Sequence, residues 1–404
     1  MNNMSRSDNP LVCVTGAAGF TGATAVDCLL MNGYSVLATD SPKGKFRSVL
    51  KHRAFMQKHP ELYSGVSLDI ATADITNIND LRNLFKDRNV IYLMHPASLF
   101  KISASRKELK KVNVEGTRKL LDTVSEYSPG LMGVTVWSSY MVYGLNRRDV
   151  SINEESSVSP CNIYAESKLE QENISLEYGK SGIPTIVIRP ASVYGPRGES
   201  GIARSIRSLT WNFLLPVIPI PAEGDFISHF VNIDDVVMAA LHLMKVVKSQ
   251  NLSGQVFNVA DDTPIRMKEL VSLIASELRV KDSEVNLPEY VMKPMETIMP
   301  YGLSIPYFGL ERQEIPYIFK DIVFDNRKIK STGYQFKYPE ISMGIKSTVD
   351  WYARNGRMEI LWYLLNSGWR NYWADIPYHK RQFADYALIH RNARHDVDAP
   401  DALG

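Results

Sequence analysis

The chain has 404 residues, 45% hydrophobic and 22% charged, with a net charge of +2 from 46 basic and 44 acidic side chains. That balance suits a globular protein with ample material for a core, at a length of two or three domains, or fewer where an α/β unit runs to ~200–250 residues. It excludes the basic bias of a nucleic-acid binder, and no stretch reaches the ~18 unbroken apolar residues of a membrane span.

The nearest approach to such a span, residues 209–222, is interrupted by three prolines. The opening MNNMSRSDNP is polar and lacks the apolar core of a signal peptide, so a cytoplasmic location is expected. Leu11–Thr15 (LVCVT) reads as a strand buried on both faces, because its apolar side chains run without alternation. The glycine-rich stretch TGAAGFTG follows at 15–22, then a helix over 24–31 that stops near Asn32 and Gly33. Further strands are expected over 34–40, 69–76, 90–95, 134–138 and 185–189, with helices over 79–86, 112–127 and 164–180. Strands alternating with helices require βαβ crossovers, hence an α/β fold with a Rossmann-like doubly wound parallel sheet. After Arg189 the rhythm loosens, with short elements at 235–247, Val256–Val259 and Met267–Leu278. This predicts a smaller, irregular C-terminal substrate domain. Residues 288–318, rich in Pro, Met, Tyr and Ile, are expected to lie over an apolar cavity. Cys13, Cys28 and Cys161 show no C-x-x-C spacing, and His379, His390 and His395 no metal-like spacing, so no metal is expected.

Gly16, Gly19 and Gly22 are spaced by three and sit between a strand and a helix. A pyrophosphate approached by backbone needs residues without Cβ, and the helix N-terminus then offers free N–H groups. Gly16, Ala18, Gly19, Phe20, Thr21 and Gly22 are therefore the expected dinucleotide contacts. Asp40 ends the second strand, where a carboxylate can accept both ribose hydroxyls and repel a 2′-phosphate, which favours NAD over NADP. Lys43, Lys45 and Arg47 follow it and soften that preference. Asp74 and Ile75 close another strand, where an acid can meet the adenine amino group.

The catalytic candidates are Ser139 in VWSSYMVYG and Tyr164 and Lys168 in YAESK. Tyr164 and Lys168 are i and i+4 on a helix and share a face. A nearby ammonium and a positive nicotinamide ring lower a phenol from its ordinary pKa of ~10, letting it take a hydroxyl proton while hydride leaves the same carbon. Lys168 can also bond the nicotinamide ribose. Ser139, at a strand end, can orient the substrate oxygen.

These motifs resemble the extended short-chain dehydrogenase/reductase superfamily, the NAD-dependent epimerase/dehydratase group. The resemblance runs from about residue 11 to about 352 and also covers HPAS at 95–98, NVEGT at 113–117, RPASVYGP at 189–196, HFVNIDDV at 229–236 and GQVFNVA at 254–260. It places Ser139 rather than Ser138 in the catalytic slot, four residues before Tyr143. It implies that Pro96, Ala97, Ser98, Asn113, Pro190, Ala191, Ser192 and Val193 line the cofactor site, and that the protein dimerises through two helices per subunit. The expected division is a flexible N-terminus at 1–9, an NAD-binding domain at 10–190 with returning segments near 228–260, a mainly substrate-binding domain at 191–354 and an aromatic extension at 355–404.

The departures bear on substrate. Nucleotide-sugar members usually carry Asn where Ser192 stands, and an R-D-F-x-x-V-x-D stretch where this chain reads SHFVNID at 228–234. The arginine that would grip a diphosphate is missing; Arg197, Arg204 and Arg207 are substitutes or a solvated face. With Phe100 after HPAS, the pocket reads as apolar, lined by Phe100, Tyr140, Arg197 and His229. The leading expectation is an NAD-dependent oxidoreductase of a secondary alcohol or ketone, similar to the 3β-hydroxysteroid dehydrogenase branch. The alternatives are a nucleotide-sugar epimerase or dehydratase with tightly held NAD, and a non-catalytic dinucleotide sensor.

Overall fold

In the computed structural model, seven parallel strands form one sheet in the order β11-β6-β5-β4-β1-β2-β3. These are β1 (Leu11–Thr15), β2 (Ser35–Asp40), β3 (Leu68–Thr72), β4 (Tyr92–His95), β5 (Gly133–Trp137), β6 (Thr185–Pro190) and β11 (Val256–Val259). The structure describes residues 9–100, 104–145, 151–198, 201–203, 206, 218–221, 226–279, 284–287, 317 and 320–352. The N-terminus at 1–8, the extension at 355–404 with its three histidines, Arg204, Arg207 and, apart from Tyr317, the stretch 288–318 lie outside them.

The sheet is buried on both sides, as its unbroken apolar runs require. Val12, Val14, Val36 and Ala38 face the cluster formed with α1 (Phe20–Met31) and α7 (Ile233–Val246). Cys13, Leu37 and Leu93 face the opposite cluster, with α3 (Ile78–Phe85) and α5 (Thr117–Tyr127). α6 (Ile163–Lys180) packs beside α5 and against β6. A third apolar cluster gathers residues from beyond β6, including Tyr194, Phe230, α8 (Met267–Leu278) and the helical residues 341–352. Of the short strands β7 (Ser192–Tyr194), β8 (Ile218–Pro221), β9 (Ile227–Ser228) and β10 (Phe230–Asn232), β7 and β10 pair in parallel beside it.

β1 pairs with β2 on one side and with β4 on the other. The strand order reverses there, and this switch point is where open α/β sheets bind ligands, beyond the carboxyl ends of the strands. The glycine turn, the loop after β4, the turn after β5 and the residues after β6 all leave that edge.

Three elements differ from expectation. The first helix begins at Phe20, four residues early, so that Gly22 lies inside it and Gly19 is its extended N-cap. The third strand ends at Thr72; Asp74 turns away and its carboxylate accepts the Thr76 N–H at 2.8 Å. The helix expected over 112–127 is longer: α4 (Arg106–Leu109), a wide π-type segment over Lys110–Gly116, then α5. Among the described residues no helix is long and apolar enough to cross a membrane.

Candidate active site

The glycine turn is dictated by contact. Gly16 has φ +63°, and a Cβ on it would lie 2.9 Å from the Cα of Ala97 in the loop after β4. A Cβ on Gly22 would lie 2.1 Å from the Gly16 carbonyl oxygen. Only hydrogen fits at either place, so α1 starts directly against the end of β1 and its first N–H groups stay open. This is a cradle that side chains would fill, and it fits a dinucleotide pyrophosphate. Ala18 and Thr21 are half-buried on this turn, and Gly19 is exposed.

Asp40 closes one side. Its carboxylate accepts the Ala18 N–H at 2.9 Å and the Ser41 N–H at 2.7 Å. Burial pushes its pKa up, against those two bonds and the Ser41 hydroxyl. The carboxylate still has acceptor capacity for a ribose hydroxyl. Gly44 makes the arrangement possible, since a Cβ there would sit 2.7 Å from the Asp40 carboxyl carbon. Ile75 is buried against Gly116 of the π-type segment.

The loop after β4 joins this turn to α6. Asn113, fully buried in the π-type segment, accepts the Leu99 N–H at 2.6 Å and donates to the Leu99 carbonyl at 3.3 Å and to Ser167 Oγ at 3.0 Å. Its amide is thus spent on holding the loop against the first turns of α6. The resemblance put Asn113 among residues lining the cofactor; the bonds the structure gives it brace this loop. α6 itself starts at a fixed point, because the Asn162 side chain caps the Ala165 N–H at 2.8 Å.

Tyr164 projects from that first turn, half-buried, with the Ser98 side chain beside its phenol. The Phe100 ring, 41% exposed, meets it edge-on with centroids 4.8 Å apart. Burial pushes the phenol up to about 12, against the Ser98 side chain. The expected lowering by Lys168 is therefore not what the protein alone produces. Lys168 is 1% exposed, and its Nζ donates to Gln171 Oε1 at 2.5 Å. Burial pushes this ammonium down to about 7, with Glu172 opposing.

Ser139 caps the turn Tyr140–Tyr143 after β5, its Oγ accepting the Met141 N–H at 3.2 Å. That leaves the hydroxyl proton free to donate. Ser138 is more deeply buried, at 7% exposed, with no partner for its Oγ among the described residues. Tyr140 is half-buried and held edge-on by Tyr317 and Phe324. Pro190 and Ala191 are buried at the end of β6, and Ser192 and Val193 open β7 half-buried.

Two expected substrate contacts point elsewhere. Arg197 takes the left-handed conformation, φ +73°, and is 8% exposed. Its guanidinium pairs with Asp27 at 2.9 Å and donates to Thr24 Oγ1 at 2.9 Å, both on α1. His229 is 3% exposed; its Nδ1 accepts the Phe324 N–H at 3.0 Å and its Nε2 meets Asp261 at 3.0 Å. Each is consumed by packing between segments, and neither is free to grip a substrate.

A family model described as the NAD dependent epimerase/dehydratase family matches residues 12–260, more than half of the chain. The chain belongs to that family. It is accordingly an NAD-dependent enzyme of the epimerase/dehydratase type, on the Rossmann-like frame just described. It is 25% identical over 366 residues to UDP-glucuronate 4-epimerase 4 of Arabidopsis thaliana, covering 86% of this chain and 76% of the relative. It is 25% identical over 355 residues to a UDP-N-acetyl-alpha-D-glucosaminuronate decarboxylase of Bacillus cytotoxicus, covering 84% and 96%. Among solved structures, dTDP-glucose 4,6-dehydratase of Bacillus anthracis in complex with NAD superposes with a TM-score of 0.65 at 22% identity, over 86% of this chain and 98% of that one. This last likeness concerns the fold.

Sequence reasoning missed Gly44, His95 and Gln171. Gln171 carried a usable signal: a polar residue seven positions after Tyr164, on the same helical stripe.

Proposed function

We propose that the protein converts a nucleotide sugar by transient oxidation of a ring carbinol, with Tyr164 as acid/base, Ser139 orienting the substrate oxygen and Lys168 holding the nicotinamide ribose. One observation carries the reading. Consecutive residues join the two halves of the site: Ala97 closes on Gly16 of the glycine turn, and the Ser98 side chain lies beside the Tyr164 phenol and favours its anion. A phenol and a pyrophosphate cradle are thus tied to one short loop at the switch point.

NAD⁺, when bound, supplies the hydride acceptor and a positive ring. Tyr164 removes the proton from the carbinol oxygen and returns it after the sugar has turned or changed. Ser139 donates its hydroxyl to that same oxygen and stabilises the charge on it. Phe100 and Tyr140 flank the reacting group and exclude water from it. In this reading the segments after β6, with their separate apolar cluster, bind the nucleotide end.

Similarity along most of the chain to enzymes named for UDP-sugars supports this substrate class over the secondary-alcohol expectation. The apolar neighbour Phe100 and the diverted Arg197 favour the alcohol reading. Purified protein incubated with UDP-glucuronate, UDP-glucose and dTDP-glucose separates the two. Proton NMR should show an altered sugar with no net NADH. Stoichiometric NADH from secondary alcohols, and none of the sugar products, would reverse the order.

The turn has its own test. Gly22→Ala places a methyl group against the Gly16 carbonyl, so the turn must open. Overpacking of this kind costs ~1–3 kcal/mol, and NAD affinity should fall by about 10-fold or more as the cradle widens. Calorimetric titration with NAD and thermal unfolding would read both.

A further inference from the structure

Behind Tyr164 and Lys168 lies a polar chain that the proposed reaction does not use. α6 carries Tyr164, Lys168, Gln171 and Ser175 on one stripe, and all but Tyr164 are fully buried. Lys168 Nζ donates to Gln171 Oε1 at 2.5 Å. The Gln171 amide nitrogen donates to Thr117 Oγ1 at 2.9 Å and lies 3.3 Å from His95 Nε2. Flipping that amide would set two donors against each other at Lys168, so its orientation is fixed.

Counting protons fixes the rest. Thr117 has one hydroxyl proton and gives it to the Asn113 carbonyl at 2.7 Å. Its oxygen therefore accepts from Gln171 and from His95, whose Nε2 at 2.8 Å must carry the proton. His95 Nδ1 is then the acceptor for the Thr15 hydroxyl at 2.7 Å. Burial, helped by the Lys168 ammonium, pushes His95 down to about 3, so it stays neutral. The chain ends at the Asn113 carbonyl and Thr15, residues that are 0% and 1% exposed. It reaches no solvent, so it is no proton route. What it defines is the position of one ammonium group.

We propose that Gln171 is a positioning residue that holds the Lys168 ammonium one helical turn from Tyr164, and that Thr117 and His95 hold Gln171 in turn. The inference rests on the proposed roles of Tyr164 and Lys168. The titratable groups coupled to Lys168 are Glu172 of α6 and His95 of β4. Arg189 of β6 already neutralises Glu172. Gln171 is thus the neutral acceptor that favours the charged form of a buried amine, and without it the amine sheds its proton more readily.

The test compares Gln171→Met and Gln171→Glu with the wild type. Protein carrying [ε-¹³C]lysine is titrated by NMR, with Lys168 assigned by the signal lost in Lys168→Met. In Gln171→Met the Lys168 titration should move down by about one pH unit or more; in Gln171→Glu it should move up. NAD affinity, measured by calorimetry with NAD⁺ itself, should fall about 10-fold in Gln171→Met and recover in Gln171→Glu. If Gln171→Met fails to fold, the upward movement in Gln171→Glu decides alone. A Lys168 titration unmoved in the folded variants overturns the inference. Full turnover by Tyr164→Phe would instead overturn the proposed function and leave this titration as expected.

Discussion

Tyr164→Phe is expected to lower kcat by ~10²–10⁴-fold while leaving the fold and NAD affinity in place. The replacement removes one oxygen. The ring keeps its edge contact with Phe100, and the helix keeps its Asn162 cap. Even a full hydrogen bond lost at the Ser98 side chain beside the ring would cost only ~0.5–1.5 kcal/mol, too little to unfold the chain. Single-turnover rates with a nucleotide sugar and circular dichroism would separate chemistry from folding. Turnover within about tenfold of wild type would end the acid/base assignment.

The same variant isolates one phenol among 20 tyrosines. Subtracting its ultraviolet titration from that of the wild type leaves the Tyr164 phenolate alone. Without NAD⁺ that signal should appear only near pH 12, because burial disfavours the charged form. With NAD⁺ bound it should appear at lower pH, since a positive ring favours the anion. The oxidation step should therefore quicken as pH rises towards the lowered value. A phenol that titrates alike with and without NAD⁺ would place the positive ring elsewhere.

Much of this architecture was legible because strands buried on both faces write themselves as unbroken apolar runs. β1 and β11 fall on the residues expected of them, and so does α8. The glycine spacing and the Y-x-x-x-K pair were readable for a related reason: each is a local geometric demand. The helix α2 (Arg47–Lys58) was not seen. Only Val49 and His52 are buried along it, so the apolar stripe is too thin to show a period. The π-type segment left no periodic trace either, since one widened turn changes register without changing composition. The partners of Arg197 and His229 were not legible for a third reason. A polar residue in a loop looks free until its partner is known, and Asp27 and Asp261 lie far away in sequence. The buried face of α6 is polar, with Ser167, Lys168, Gln171, Glu172 and Ser175, so hydrophobic patterning could not find it.

Glu172 supplies the second large effect, on stability. It follows Gln171 on α6 and forms a two-pronged ion pair with Arg189 on β6, the Nε bond being 3.0 Å. The side chains are 2% and 5% exposed, and the Arg189 guanidinium lies 4.7 Å from the centre of the Tyr143 ring. Breaking a buried pair by removing one partner costs ~3–5 kcal/mol, because the remaining charge is left in a poor solvent. Glu172→Gln should therefore lower unfolding free energy by about that amount in urea titrations. Glu172→Met with Arg189→Met should cost less than Glu172→Gln alone, because no charge is stranded. Arg189 Nη1 has no hydrogen-bond partner among the described residues, so the native pair already carries an unmet donor. If the double replacement is as stable as wild type, the pair's value lies in holding α6 in register against β6, and NAD affinity should fall even though stability does not.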